Sequence, residues 1–265
     1  MKLHHRFYLG DCRSIMADLP DACVDLVITD PPYGVANDTV IMRNNGTVWH
    51  SHDFGWWDYF KDDSEFIAFT DSWVKEAARL LRPCGSFYSF FPKEKIYILV
   101  KLLERYGLFT RNTIIWHKTN PVPQMRKVNF MSATEAIVFA TKNKGAGHTF
   151  NWHLGQQENF IEHPICGGGE RTIHPTQKPL AVIMPWIMYS SCEGDVVLDC
   201  FGGSGTTSVA CKKLRRNSIY IDINEDYLEI ALSRMNFEQR ELFDEHDYQV
   251  FRDPVESRKK LVVAT

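Results

Sequence analysis

The stretch VVLDCFGGSGTTSVACKKL, residues 196–214, joins an apolar strand to a helix through a glycine-rich turn. Gly202, Gly203 and Gly205 let the backbone approach a ligand closely, and the helix start offers free N–H donors. The spacing matches neither G-x-G-x-x-G nor G-x-x-x-x-G-K-[ST], which disfavours dinucleotide and phosphate loops. The next predicted strand ends at Asp222, whose carboxylate can accept hydrogen bonds from both ribose hydroxyls. The pairing favours an adenosine-containing cofactor over the alternative, a tight turn without a ligand.

Short apolar runs alternate with helix-like segments along the chain. They predict strands at 6–10, 25–29, 86–91, 112–117, 135–140, 195–199 and 218–222, and helices at 64–81, 93–105, 206–214 and 225–240. This alternation is typical of an α/β fold with a mostly parallel sheet covered on both faces. The loop between 112–117 and 135–140 contains two prolines and no helical pattern, so these two strands are expected to form an antiparallel hairpin.

The second predicted strand ends in DPPY, residues 30–33. Pro31 and Pro32 cannot continue a strand ladder, so they fix a rigid turn at the carboxyl edge of the sheet, where open α/β sheets bind ligands. The Asp30 carboxylate and the Pro31 carbonyl can each accept a hydrogen bond from one exocyclic amino group. Tyr33 can stack on the ring that bears that group. The alternative is an ordinary Pro-Pro turn with a surface tyrosine.

With DPPY (30–33) first in the chain and DCFGGSGTT (199–207) near its C-terminus, the two motifs resemble the β group of S-adenosylmethionine-dependent DNA amino-methyltransferases. Further matches occur in the family's order: FYLGDC (7–12), LLRPCGSFY (80–88), IIWHKTNPVP (114–123), TEAIVFATK (134–142), HPTQKP (174–179) and YIDINEDYLEIALSR (220–234). Cys200 and Cys84 stand where Pro and Gly are common. The resemblance implies one catalytic domain, residues 1–265. Its fold would be a Rossmann-like seven-stranded sheet with one antiparallel hairpin strand, helices on both faces and circularly permuted motifs.

The resemblance also implies a reaction, namely transfer of a methyl group from S-adenosylmethionine to N6 of an adenine flipped out of duplex DNA. Asp30, Pro31, Pro32 and Tyr33 would be catalytic. The implied cofactor residues are Asp11, Cys12, Lys178, Asp199, Phe201, Gly203, Ser204, Gly205, Thr206, Asp222 and Asn224. No metal is expected.

Other functions stay open at this point. The leading Asp of the motif favours adenine, because relatives that methylate cytosine N4 more often begin the motif with Ser. Cytosine N4 is nevertheless an alternative. An inactive DNA-binding subunit of the same fold is another, and so is a methyltransferase acting on RNA or on a protein amide. Protein-amide enzymes usually begin the motif with Asn and place the cofactor motif first.

Basic residues cluster between Arg111 and Lys144, where six Lys or Arg face one acid, Glu135. Such a stretch can contact DNA phosphates, although a solvated surface has the same composition. The candidate DNA contacts are Lys118, Arg126 and Lys127. The loops expected to recognise double-stranded DNA are 34–63, 118–132 and 143–172.

Composition sets the remaining expectations. The 265 residues carry a net charge of −3 and are 44% hydrophobic, which excludes a disordered chain. No run approaches the roughly 20 apolar residues of a membrane span, and MKLHHRFYLGD lacks the core of a secretory signal. Seven cysteines without a CxxC pair favour a reducing compartment. We therefore expect a cytoplasmic protein encoded by a prokaryote, archaeon or phage. A homodimer and a cognate restriction endonuclease are the partners that the resemblance suggests.

Overall fold

The computed structural model describes residues 2–34, 40–42, 48–50, 58–123, 127–145, 147–237 and 246–252. The strands in these ranges are β1 (Leu3–Leu9), β2 (Val24–Thr29), β3 (Val40–Met42), β4 (Val48–His50), β5 (Leu81–Phe91), β6 (Phe109–His117), β7 (Thr134–Thr141), β8 (Phe160–Glu162), β9 (Val196–Asp199), β10 (Asn217–Asp222) and β11 (His246–Phe251). The helices are α1 (Cys12–Ala17), α2 (Asp63–Leu80), α3 (Ile96–Arg105), α4 (Leu180–Ser190), α5 (Thr206–Lys213) and α6 (Glu225–Phe237).

Nine of these strands form one sheet in the order β11-β1-β10-β9-β2-β5-β7-β6-β8, while β3 and β4 pair separately. Only β7 runs antiparallel to its neighbours in the described part of this sheet. Strands β9 and β2 are neighbours, with Leu26 opposite Val197. The expected α/β fold, mostly parallel with one antiparallel hairpin strand, is therefore confirmed.

The central strands are buried on both faces because side chains alternate across a sheet. Val27 joins a core formed with Trp73 of α2 and Leu99 of α3. Leu26 lies on the other face, in a core formed with Trp186 of α4. Both faces are thus covered by helices, which explains why β2 reads as an almost continuous apolar run.

All seven predicted strands are present, and two more, β8 and β11, lie at the edges of the sheet. The expected count of seven strands is therefore corrected to nine. Helices α1 and α4 were not predicted. Helix α4 is apolar on all sides and has Pro185 in its interior, so it shows no 3.6-residue period. Strand β11, HDYQVF, lies in an acid-rich stretch and has no apolar run.

The strand order places the candidate functional residues at the carboxyl edge of the sheet. Parallel strands β1, β2, β9 and β10 end beside each other, so Asp30 and Asp222 meet at the carboxyl edge. Because β7 is antiparallel, its first residues reach that same edge, with Thr134 opposite His117 of β6. No helix in the described ranges is long and apolar enough to cross a membrane.

Candidate active site

A cavity of about 610 Å³ opens at the carboxyl edge, where β2 and β9 meet. Both sequence motifs line it, although they lie far apart in the chain. The predicted residues in its wall are Asp11, Cys12, Asp30, Pro31, Pro32, Tyr33, Lys118, Lys178, Asp199, Phe201, Gly203, Ser204, Thr206 and Asp222. The fold therefore assembles the predicted catalytic and cofactor residues around one space.

Two glycines of the glycine-rich turn adopt a backbone conformation that favours glycine. Gly203 has φ +49° and Gly205 has φ +75°, both in the left-handed region. A Cβ at position 203 would lie 2.8 Å from Nε2 of His174. Helix α5 follows directly and has no side-chain N-cap. The backbone can thus approach a ligand here, and the first amides of α5 are left for it.

Asp222 ends β10 beside the glycine-rich turn. Oδ2 accepts a hydrogen bond from the Gly203 amide of the turn at 2.7 Å, and Oδ1 accepts one from the Asn224 amide at 2.8 Å. A carboxylate has about four acceptor positions, so Asp222 can also accept from a hydroxyl donor. Burial raises the pKa of Asp222 to about 6. Asn224 lies behind the wall, where its Oδ1 accepts from the amide of Asp226 in the first turn of α6.

Asp199, predicted to bind the cofactor, lines the cavity and makes hydrogen bonds within the protein through both carboxylate oxygens. Its Oδ2 accepts a hydrogen bond from Thr207 at 2.6 Å, and its Oδ1 accepts from Thr29 at 3.1 Å and from the Phe201 amide at 3.2 Å. Burial raises the pKa of this carboxyl to about 7. Because protein groups occupy both oxygens, Asp199 braces the glycine-rich turn against β2.

The outer part of the turn is held by an arginine of α6. The Arg234 guanidinium donates to the Ser204 carbonyl at 2.7 Å and to the Thr206 hydroxyl at 3.0 Å. Phe201 packs edge-on against Trp73 at 5.5 Å between ring centroids. The turn is therefore fixed on both sides before any ligand binds.

Asp11 and Cys12 follow the end of β1, beside Asp222, whose carbonyl accepts a hydrogen bond from the Gly10 amide at 2.8 Å. Asp11 caps α1 by accepting from the Arg13 amide at 2.8 Å, and it also pairs with the Arg13 guanidinium. Hydrogen bonds from Arg13 hold the pKa of this carboxyl below its ordinary value. The sequence indicated Asp11 but gave no sign of Arg13, which also lines the cavity.

A buried aspartate orders the DPPY turn. Oδ1 of Asp58 accepts hydrogen bonds from the amides of Tyr33 at 2.6 Å and Gly34 at 2.8 Å. Asp58 is 2% exposed and lines the cavity. No sequence pattern indicated Asp58, because it lies in the irregular segment 34–63, most of which falls outside the described residues.

Four charged side chains alternate along the cavity wall. Lys178 is ion-paired with Asp30, and its Nζ lies 3.5 Å from Oε2 of Glu135. The other oxygen of Glu135 lies 2.6 Å from Nζ of Lys118. Lys178 was predicted to bind the cofactor, and its ammonium contacts the carboxylate of Asp30, which was predicted to be catalytic. Its carbonyl accepts a hydrogen bond from Thr206 at 3.0 Å, which ties it to the glycine-rich turn.

These four side chains, Asp30, Lys178, Glu135 and Lys118, affect one another's pKa values. Burial raises the pKa of Asp30, with Lys178 opposing the shift and Glu135 adding to it. Burial acts to raise the pKa of Glu135 as well, but Lys178 and Lys118 outweigh it and hold that pKa below its ordinary value. The two carboxylates together raise the pKa of Lys178 against the effect of burial. Lys178 is therefore a permanent cation shared by two acids.

Two buried polar atoms lie beside these four charged side chains. Oδ1 of Asp30 and Oη of Tyr33 are buried and make no hydrogen bond of good geometry with any described residue, although the phenol of Tyr33 lies close enough to Asp30 and Glu135 for these groups to affect its pKa. An unsatisfied buried group costs about 1–3 kcal/mol, so such atoms commonly mark a place for a ligand. Burial, together with the charge of Asp30, raises the pKa of Tyr33 well above its usual value, which keeps the phenol neutral.

His174, in the HPTQKP segment, is a site residue that sequence analysis quoted but did not assign. Its ring centroid lies 4.3 Å from that of Tyr227, and both residues line the cavity. Burial, reinforced by the charge of Lys178, lowers its pKa to about 3. Nδ1 has no hydrogen-bond partner in the described part of the chain. A neutral imidazole thus borders the glycine-rich turn.

The predicted DNA contacts are distributed unevenly. Lys118 faces the cavity and pairs with Glu135, as described above. Lys127 is exposed, whereas Arg126 lies outside the described residues. In the loop 143–172, Asn151 donates to the Met188 carbonyl at the C-terminal end of α4, on the edge opposite the cavity. The chain returns along β8, so only the later part of this loop lies on the cavity side.

No group of three or more His, Cys, Asp or Glu side chains suited to a metal ion occurs among the residues the structure describes. All seven cysteines are free thiols.

Comparisons with known proteins agree on one family. A family profile described as DNA methylase matches residues 24–233, which include both motifs. The Type II methyltransferase M.HinfI of Haemophilus influenzae is 34% identical over 240 residues, covering 85% of this chain and 67% of its own.

Two solved structures extend this likeness. The M1.HpyAVI–SAM complex has a TM-score of 0.69 and 29% identity, covering 88% of this chain and all of its own. The cytosine-N4-specific PvuII DNA methyltransferase has a TM-score of 0.71, covering 100% of this chain and 96% of its own. At 16% identity, this second likeness concerns the fold alone.

Proposed function

Because this chain belongs to the DNA methylase family and is an S-adenosylmethionine-dependent DNA methyltransferase, we propose that its target atom is N6 of an adenine turned out of duplex DNA. The observation that carries this proposal is the unpaired Oδ1 of Asp30, buried beside Tyr33 where β2 meets β9. An amino group of a ligand can donate the hydrogen bond that this carboxylate oxygen lacks.

The cofactor side of the cavity suits S-adenosylmethionine. The free lone pairs of Asp222 would accept the ribose hydroxyls, and the turn at Gly203 would let the ligand lie close to the backbone. His174, neutral and with an unpaired Nδ1, offers a further polar contact. When bound, the cofactor supplies a methyl group carried by a positively charged sulfur.

The base side of the cavity positions the amino nitrogen. That nitrogen cannot be reached inside the stacked duplex, so the base must turn out. Asp30 Oδ1 and the Pro31 carbonyl would accept its two N–H bonds, while Tyr33 provides an aromatic surface for the ring. This orientation directs the nitrogen lone pair toward the methyl group. Fixed geometry and charge placement supply most of the rate.

Asp30 also receives the proton that the nitrogen gives up. As the N–C bond forms, the nitrogen becomes positively charged and its N–H becomes acidic, so a carboxylate is a sufficient acceptor. Burial raises the pKa of Asp30 and improves it for this purpose. No covalent enzyme intermediate is needed.

Adenine is favoured over cytosine because the motif begins with Asp30. The fold does not choose between the bases, since a cytosine-N4-specific enzyme has a similar structure. The assignments of individual site residues and of a single catalytic domain, residues 1–265, belong to this proposal. So do recognition by the loops 34–63, 118–132 and 143–172, a homodimer, a cognate endonuclease and a cytoplasmic location. The Type II name of the Haemophilus relative supports a restriction–modification setting.

Product identity tests the proposal. The protein is incubated with S-adenosylmethionine and unmethylated genomic DNA, and the digested nucleosides are quantified by mass spectrometry. We expect N6-methyladenine from the wild type and none from Asp30→Ala, with cofactor binding by the variant within a few-fold of wild type. N4-methylcytosine would overturn the choice of base. Loss of cofactor binding in the variant would contradict the role given to Asp30.

A further inference from the structure

The loop between β6 and β7 carries an unusual set of exposed apolar side chains. Phe130 is 94% exposed, the highest value for a large hydrophobic residue in the described part of the chain, and Val128 is 80% exposed. Met131, beside Phe130, is 51% exposed. Single exposed apolar residues are ordinary, but several on one loop indicate a contact surface.

This loop lies at the mouth of the cavity. Its base is closed by a hydrogen bond of 2.7 Å from the Lys118 amide to the Ala133 carbonyl. Ser132 and Thr134 line the cavity that contains Asp30. Because two residues of chain span at most about 7 Å, Phe130 is held at the rim, close to where a target base would enter.

Two local hydrogen bonds constrain the backbone beside Phe130. The side-chain oxygen of Asn129 accepts a hydrogen bond from the Phe130 amide at 2.8 Å. The Ala133 amide donates to the Met131 carbonyl, also at 2.8 Å. The aromatic ring of Phe130 is therefore presented to solvent on a partly constrained turn, which lowers the conformational entropy lost on binding.

We propose that Phe130 enters the DNA duplex and fills the space left by the base that turns out, with Met131 against the neighbouring sugar. This inference rests on the proposed function. Removing a base from the stack exposes the faces of its neighbours, and an apolar or aromatic side chain can restore the lost contacts. The exposed Lys127, three residues before Phe130, adds a cation that suits the nearby phosphates.

The proposed ligand of this surface is duplex DNA with one base turned out of the stack. A wedge of this kind stabilises the turned-out state and makes no contact with the reacting atoms. Phe130 is therefore needed when the target is paired and stacked, and becomes dispensable when pairing is already broken. That dependence on substrate distinguishes a wedge from a residue that only supports the fold.

The test compares Phe130→Ala with Tyr97→Ala. Tyr97 is a matched control because it is an aromatic residue that is 71% exposed and lies on α3, outside the loops proposed to recognise DNA. On a paired duplex, Phe130→Ala should lower kcat/KM by about 10-fold or more, the scale of one base–aromatic stacking contact. Tyr97→Ala should stay near wild type, and Phe130→Trp should retain most activity.

The second arm uses the same duplex with an abasic site opposite the target adenine. Here the loss in Phe130→Ala should shrink to about two-fold, since pairing no longer opposes flipping. Fluorescence of 2-aminopurine at the target position should rise on binding of wild type and less on binding of Phe130→Ala. An equal loss on both duplexes would overturn the wedge. So would wild-type kinetics of Phe130→Ala on the paired duplex. If wild type yields no methylated adenine, the proposed function fails, which is a separate result.

Discussion

Lys178 and Asp30 are 148 positions apart in the chain and form an ion pair in the cavity wall. The same ammonium also lies 3.5 Å from Glu135. One cation thus serves two carboxylates that originate from different strands. The charge of the proposed catalytic carboxylate depends on both neighbours, which makes its titration a direct probe of the arrangement.

The rate of methyl transfer should depend on pH through Asp30. Burial raises the pKa of this group, so the rate should fall toward acid with an inflection above the ordinary value of about 3.9 for aspartate. Glu135→Gln removes a charge that raises this pKa, so the inflection should move to lower pH. Lys178→Met removes the opposing cation and should move it higher. Single-turnover rates measured against pH test both directions.

Glu104→Gln is the control for this titration, because Glu104 is exposed and pairs with Lys101 on α3. Its profile should match wild type. Identical inflections in wild type, Glu135→Gln and Lys178→Met would contradict the proposed coupling.

Lys178→Met should also destabilise the fold, because it leaves the Asp30 carboxylate uncompensated. We expect a loss of about 1–3 kcal/mol, below the roughly 3–5 kcal/mol of a fully enclosed pair, since Asp30 borders a cavity. The double variant Asp30→Asn/Lys178→Met should regain most of this stability and remain inactive. Urea unfolding at pH 8 measures the difference. Arg105→Met, which breaks an exposed pair with Asp71, should cost less than about 1 kcal/mol.

Asp58 should act as a positioning residue for the DPPY turn. Asp58→Ala removes the acceptor for the Tyr33 and Gly34 amides, so we expect kcat to fall by about 10-fold or more from misplaced geometry. Asp58→Asn keeps an acceptor oxygen and should retain most activity. Steady-state kinetics with folded variants check the difference. Asp71→Ala, on α2 outside the proposed recognition loops, removes an exposed pair with Arg105 and should cost at most about 1 kcal/mol of stability without changing kcat.

Cofactor affinity should strengthen as pH rises through about 6. The pKa of Asp222 is raised to about 6 by burial, and the ionised carboxylate is the stronger acceptor for ribose hydroxyls. Asp222→Asn should bind more weakly and lose this step, whereas Asp199→Asn should keep it because protein groups occupy the oxygens of Asp199. Titration calorimetry at pH 5 to 8 provides the measurement. A flat profile in the wild type would contradict the role of Asp222.

Much of the site could be predicted because its residues lie in short motifs of consecutive residues. DPPY and the glycine-rich turn each specify a local shape, and Asp222 follows at a fixed distance from the turn. Asp58 and Glu135 could not be assigned in this way. Asp58 acts on amides 24 and 25 residues away, and Glu135 reaches the cavity only because β7 runs antiparallel to the rest of the sheet.

The fold was predictable where apolar period and strand length agree. It was not at α4, where apolar residues surround the helix axis, or at β11, whose residues alternate without an apolar run. Both elements are specified by contacts with distant parts of the chain. Local sequence pattern therefore predicts the central strands, whereas pairing with distant parts of the chain specifies the strands at the edges of the sheet.

The strand order has a consequence for folding of the chain during its synthesis on the ribosome. Strand β1 lies between β10 and β11, both of which are encoded near the far end of the chain. At a synthesis rate of about 5–20 residues per second, roughly 200 residues of translation take about 10–40 s. During that interval β1 has neither of its sheet neighbours, and its N–H and C=O groups form an open template for other chains. Strand β1 is therefore open to pairing with other chains until β10 and β11 have been synthesised.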